Sequence, residues 1–104
     1  MKGISFLTAA LCLALSGHAA YAGEIPRDNF FWLGQINKAT DIINTDEGLL
    51  TKKEGHAFAR GIQRVIDEGN KKGGDRPSNV VAFEPYLISA AGPEITKIHA
   101  GRSS

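Results

Sequence analysis

The sequence predicts an all-α chain of two to three helices joined by loops. Three observations carry this. Apolar residues recur at helical spacing in three stretches, a Thr-x-x-Glu helix-starting box stands at Thr51 and Glu54, and no stretch alternates apolar with polar over a useful length.

The first helix is expected over residues 29–44. Trp32, Ile36, Ala39 and Ile43 fall on one face of it, and Phe30, Phe31 and Trp32 read as packing residues. Asp28 suits the N-cap, because its carboxylate can accept from the free amides of the first turn. Gly48 suits the position just past the end. The Thr51 box opens a second helix running to about residue 68, with Phe58, Ile62, Val65 and Ile66 as its buried stripe. Gly55 and Gly61 lie inside it, each costing about 1 kcal/mol relative to Ala, so this helix leans on tertiary contacts. The Leu49–Leu50 pair anchors the turn between the two helices.

Residues 69–79 read as a solvated connector, punctuated by Gly69, Asn70, Gly73, Gly74 and Pro77. Lys71, Lys72 and Arg76 lie there without the spacing of a phosphate-binding loop. A third helix is expected over residues 80–91, with Phe83, Leu87 and Ala91 on one face. Pro85 lacks an amide hydrogen, so the regular helix is expected to begin near Glu84, where Pro85 falls in the first turn. Gly92 and Pro93 end it, and residues 95–98 form a short connection to a terminal His99-Ala100-Gly101-Arg102-Ser103 run.

Residues 1–22 read as a signal peptide and residues 23–104 as the folded segment. Lys2 gives a positive start, the run from Ile4 to Leu15 is apolar apart from Ser5 and Thr8, and Ala20-Tyr21-Ala22 fits the small-x-small rule for cleavage before Gly23. The apolar run is shorter than the about 20 residues of a membrane span, so no stable span is expected. A periplasmic or secreted location follows. Cys12 is the sole cysteine, which excludes a disulfide framework and a thiolate metal site. Lys2 is the sole leader residue among the twelve basic ones, which leaves eleven against eleven acidic side chains. Such a balance provides no electrostatic footprint for nucleic acid.

Histidine spacing excludes the common metal motifs. His18 lies in the leader, His56 reads as a surface residue on the second helix, and no His-x-x-x-His or Glu-x-x-His pair exists. No serine has the setting of a nucleophile. No metal or other cofactor is expected. The remaining candidate is the terminal run, where Arg102 offers a planar fork of donors for a carboxylate and Gly101 permits close backbone approach.

That run resembles the His-Thr-Gly-Arg-Ser segment of argininosuccinate lyases, in the fumarase/aspartase superfamily. The resemblance extends from about Phe30 to Ser104. Asn37-Lys38-Ala39 is similar to the family's Ser-Lys-Ala, and Gly48-Leu49-Leu50-Thr51-Lys52-Lys53-Glu54 to its Gly-Leu-Leu-Thr-x-x-Glu. Gly61-Ile62 and Val65 continue the second helix. Glu84, Leu87 and Gly92 fit a Glu-x-x-Leu-x-x-x-x-Gly spacing, and Lys97-Ile98-His99 stands where the family has Lys-Leu-His. Ala100 replaces the usual Thr, Ser104 the usual Arg, Asn79-Val80-Val81 the usual Asp-Val-His, and Ala22 and Pro26 the usual Ser and Asp.

The resemblance implies the N-terminal portion of an all-α, homotetrameric lyase that releases fumarate from argininosuccinate or a related succinyl-amine. It implies that His99, Gly101, Arg102 and Ser103 hold a small dicarboxylate-type substrate in a site assembled from three subunits. The family's catalytic serine and later segments have no counterpart in these residues, so the expectation is a substrate-binding segment inactive alone. The leader and the short mature length also suit an alternative from a different class: a small periplasmic helical binding or interaction module.

Overall fold

A computed structural model describes residues 24–99; the expected leader with its expected cleavage position, and Gly101, Arg102 and Ser103, lie outside the described residues. Among the described residues, three α-helices, α1 (Asn29–Asp46), α2 (Lys52–Asn70) and α3 (Val80–Ala91), are followed by a 3-10 helix (Pro93–His99). No β-strand occurs among the described residues, and none of their helices is long and apolar enough to cross a membrane.

Local chemistry sets the helix ends. The Asp28 carboxylate accepts from the Phe31 amide at 3.0 Å and starts α1. Thr51 and Glu54 form the reciprocal box at the start of α2: Thr51 Oγ1 accepts from the Glu54 amide at 3.0 Å, and Glu54 Oε1 from the Thr51 amide at 2.9 Å. Gly48 and Gly92 take φ of 80° and 86°, a conformation that suits glycine, and turn the chain after α1 and α3. Asn79 caps α3 by accepting from the Ala82 amide at 2.8 Å, so the helix begins at Val80 rather than near Glu84. Pro85 sits inside it. Pro85 and Val81 are both exposed, and water can reach the carbonyl that the missing amide leaves unbonded.

α1 and α2 form an antiparallel pair whose backbones approach closely at small residues. A Cβ on Gly34 would lie 3.0 Å from the Ile66 side chain; one on Gly55 would meet Thr45, and one on Gly69 the Phe30 ring. α3 closes against α2 in the same way, with Gly61 facing Ala91. The core comprises Phe30, Leu50, Phe58, Ile62, Val65, Phe83, Leu87, Ile95 and Ile98, with the Phe30 and Phe83 rings stacked 5.3 Å apart. The connection over residues 95–98 is thus a core element rather than a simple linker.

Of the expected stripes, Phe58, Ile62 and Val65 of α2 and Phe83 and Leu87 of α3 are buried, while Ile66 and Ala91 are partly buried and pack against them. α1 is inverted. Trp32, Ile36 and Ile43 do share a face, but they are 50 %, 53 % and 57 % exposed. The inner face carries Phe30, Gly34, Asn37, Asp41 and Asn44. Phe30 is the packing aromatic among the three, and Leu50 rather than Leu49 anchors the turn.

Candidate functional site

The 3-10 helix is tied to all three α-helices. The Asn44 side-chain amide donates to the Ile98 carbonyl at 2.8 Å, which satisfies a buried backbone acceptor from inside α1. Lys97 Nζ donates to Glu54 Oε2 at 2.7 Å, on the first turn of α2. His99 Nε2 lies 2.8 Å from Glu84 Oε2 on α3. His99 is therefore oriented by a carboxylate that fixes its ring.

A small cavity of about 80 Å³ lies beside His99, with Leu33, Asn37, Val80, Glu84 and Leu87 among its lining residues. Its polar groups are high-stakes. Glu84 Oε1 is buried without a hydrogen-bond partner among the described residues. Along the inner face of α1, Asn37, Asp41 and Asn44 recur at intervals of one helical turn or two, all buried. Asp41 Oδ1 also lacks a partner among the described residues. Burial pushes the Asp41 carboxyl up from 3.8 to about 6, against a smaller opposing effect of His56.

Two larger depressions lie elsewhere. A cleft of about 440 Å³ between the end of α2, the connector and α3 mixes Arg64, Glu68, Asp75 and Tyr86. Its polar groups are engaged: Arg64 Nη1 donates to the Ala90 carbonyl at 3.2 Å, and the Tyr86 hydroxyl to Asp75 Oδ2 at 3.1 Å. A wide apolar groove on α3 is lined by Val80, Val81, Pro85 and Ile88. No group of three or more His, Cys, Asp or Glu is gathered for a metal among the described residues.

Of the four residues expected to hold substrate, the described structure places His99 alone, at the end of a pinned helix. His56 is exposed, in keeping with a surface role. The sequence reading passed over Glu84 as a partner of His99 and Asp41 as a buried carboxyl. A signal for Asp41 was present: Phe30, Gly34, Asn37, Asp41 and Asn44 also share a helical face, opposite the Trp32 stripe. No family model matches the sequence, and no curated protein or solved structure matches it either.

Proposed function

We propose that this chain is the N-terminal, substrate-holding segment of an exported argininosuccinate-lyase-like enzyme, which releases fumarate from argininosuccinate or a related succinyl-amine. The observation that carries the reading is the double anchoring of the 3-10 helix, by Asn44 at Ile98 and by Glu84 at His99. It supplies a rigid base for the His-x-Gly-Arg-Ser run, which an anion-holding loop needs. Arg102 pairs with a substrate carboxylate through its fork, Gly101 lets backbone amides approach, and the Ser103 hydroxyl donates.

The reaction is a β-elimination. A base takes the proton beside a carboxylate, which becomes an aci-carboxylate. Collapse of that charge forms the C=C bond and breaks the C–N bond, and the departing nitrogen receives a proton. This segment's part is to hold the carboxylate on which negative charge grows. The base and acid come from other segments of the assembled homotetramer.

Fumarate release, followed by ultraviolet absorbance, tests this. The 104-residue chain alone is expected to be silent. A gene extended past Ser104 through the segments the resemblance implies is expected to be active, and Arg102→Ala in that product to lose at least about 100-fold, the scale of removing one charge-stabilising donor. Activity of the 104-residue chain that survives Arg102→Ala overturns the reading, as does an extended product indifferent to it.

A further inference from the structure

We propose that the outward face of α1 is the contact between two copies of this chain, paired antiparallel about a twofold axis near the middle of the helix. The inference is independent of the lyase reading.

The spacing of the face is the first argument. Trp32, Ile36, Ala39 and Ile43 are separated by four, three and four residues, the a/d repeat of a two-helix seam. All four are exposed in the single chain. Between Asn29 and Thr45 the charged residues are Lys38 and Asp41, and Asp41 faces the core. Spacing places Lys38 off the seam as well. A face without charge meets its own copy without like-charge repulsion.

Area is the second. Ile42 flanks the seam at 61 % exposure, and Val80 at 56 % adjoins it, since Val80 and Ile36 line the same small cavity. Together these side chains present on the order of 500 Å² of apolar surface. That matches the apolar share, about 57 %, of the about 800 Å² each partner contributes to a standard interface.

Charge chooses the direction. Asp46 and Glu47 stand at the C-terminal end of α1, where the helix dipole is already negative and no basic residue offsets them. Arg27 stands before the N-terminus, 5.4 Å over the Phe31 ring, which in turn meets Trp32 edge-on at 4.8 Å. An antiparallel pair brings Arg27 to Asp46 and Glu47 of the partner subunit and opposes the two dipoles. It also sets Trp32 against Ile43 of the partner subunit and Ile36 against Ala39 of the partner subunit, large beside small. A parallel pair stacks like charges at both ends.

Sedimentation of the full chain over a concentration series tests the proposal, with emission from Trp32, the sole tryptophan, as a second readout. The expected result is a micromolar monomer–dimer equilibrium, with the emission moving to the blue as the dimer fills. Ile36→Glu is expected to raise the dissociation constant at least about tenfold, as loss of a central apolar contact does, while the helical circular dichroism persists. Arg60→Glu, on the exposed side of α2, leaves it unchanged. Arg27→Glu weakens the dimer and Glu47→Arg in the same chain restores it. A monomer at every concentration overturns the proposal. So does a dimer indifferent to both Ile36→Glu and Ile43→Glu. A monomer with already blue emission assigns the face to the chain's own first 23 residues, and failure of Glu47→Arg to restore pairing rules out the antiparallel arrangement.

Discussion

Arg76 grips Asp28 with two donors: Nε reaches Oδ2 at 2.8 Å and Nη2 reaches Oδ1 at 2.6 Å, across 48 residues of sequence. The same guanidinium donates to the Gly69 carbonyl at 3.1 Å and lies 4.6 Å over the Phe30 ring. One side chain thus ties the connector to the cap of α1 and the end of α2. Arg76→Ala is expected to cost about 2 kcal/mol, and Arg76→Lys nearly as much, because an ammonium cannot reproduce the fork. The Arg76 hydrogen bond, helped by the Phe31 amide, holds the Asp28 carboxyl below 3.8. Stability from that shift is present above 3.8 and is lost as pH falls through the lower native value. Denaturant melts of wild type and Arg76→Ala should therefore differ less in strong acid than at neutral pH, the remaining difference coming from the Gly69 and Phe30 contacts.

Asp41 has the opposite sign. Its native carboxyl titrates near 6, so between 3.8 and about 6 the folded chain holds a proton that the unfolded chain has released. Stability from this group falls with rising pH across that window and is level outside it. Asp41→Asn is expected to stabilise by about 1–3 kcal/mol at pH 7.5 and by almost nothing at pH 3.5. Thermal melts at the two pH values check this, and an equal shift at both would contradict it.

The helix-interior glycines are sites of contact. A Cβ at Gly61 would lie 2.5 Å from Ala91 Cβ, and one at Gly69 would strike the Phe30 ring and approach the Asp75 carbonyl to 2.8 Å. The about 1 kcal/mol of helix propensity gained by Ala is outweighed by overpacking. Gly61→Ala and Gly69→Ala are each expected to lower the melting temperature, with Gly69→Ala the more severe because the Asp75 backbone carbonyl, at 2.8 Å, obstructs it along with the Phe30 ring, whereas the nearest backbone atom to a Cβ at Gly61 is 3.3 Å away.

The proposed export of the chain makes a separate prediction. Intact-mass analysis of periplasmic protein should show Gly23 as the first residue. Recovery of a chain beginning at Met1 in the membrane fraction would instead mark the apolar run as an anchor.

The caps were legible because each depends on residues close in sequence: Asp28 on Phe31, Thr51 on Glu54, and Gly48 and Gly92 on their own φ. The α2 stripe was legible because one apolar face dominates it. α1 shows where periodicity runs out. Spacing tells that Trp32, Ile36 and Ile43 share a face, but direction is decided by Phe30 fitting against Gly69 and Asn44 reaching Ile98. Those contacts span 39 and 54 residues. The start of α3 was misjudged by weighing Pro85 above the Asn79 cap. The His99–Glu84 pair joins two elements whose relative placement only the fold sets.

The polar inner face of α1 also bears on the order in which the fold opens. Of the nine core side chains, Phe30 alone belongs to α1; the rest lie from Leu50 onward. Detaching α1 withdraws one core side chain of its own, Phe30, and frees the Asp41 carboxyl to ionise in water, a gain that grows as pH rises from 3.8 to about 6 and is level above it. Amide hydrogens of α1 should therefore exchange with solvent ahead of those in α2, through a partial opening that leaves α2, α3 and the 3-10 helix assembled. After correction for intrinsic exchange, the gap should widen as pH rises from about 4 to about 6, hold level above that, and narrow in Asp41→Asn.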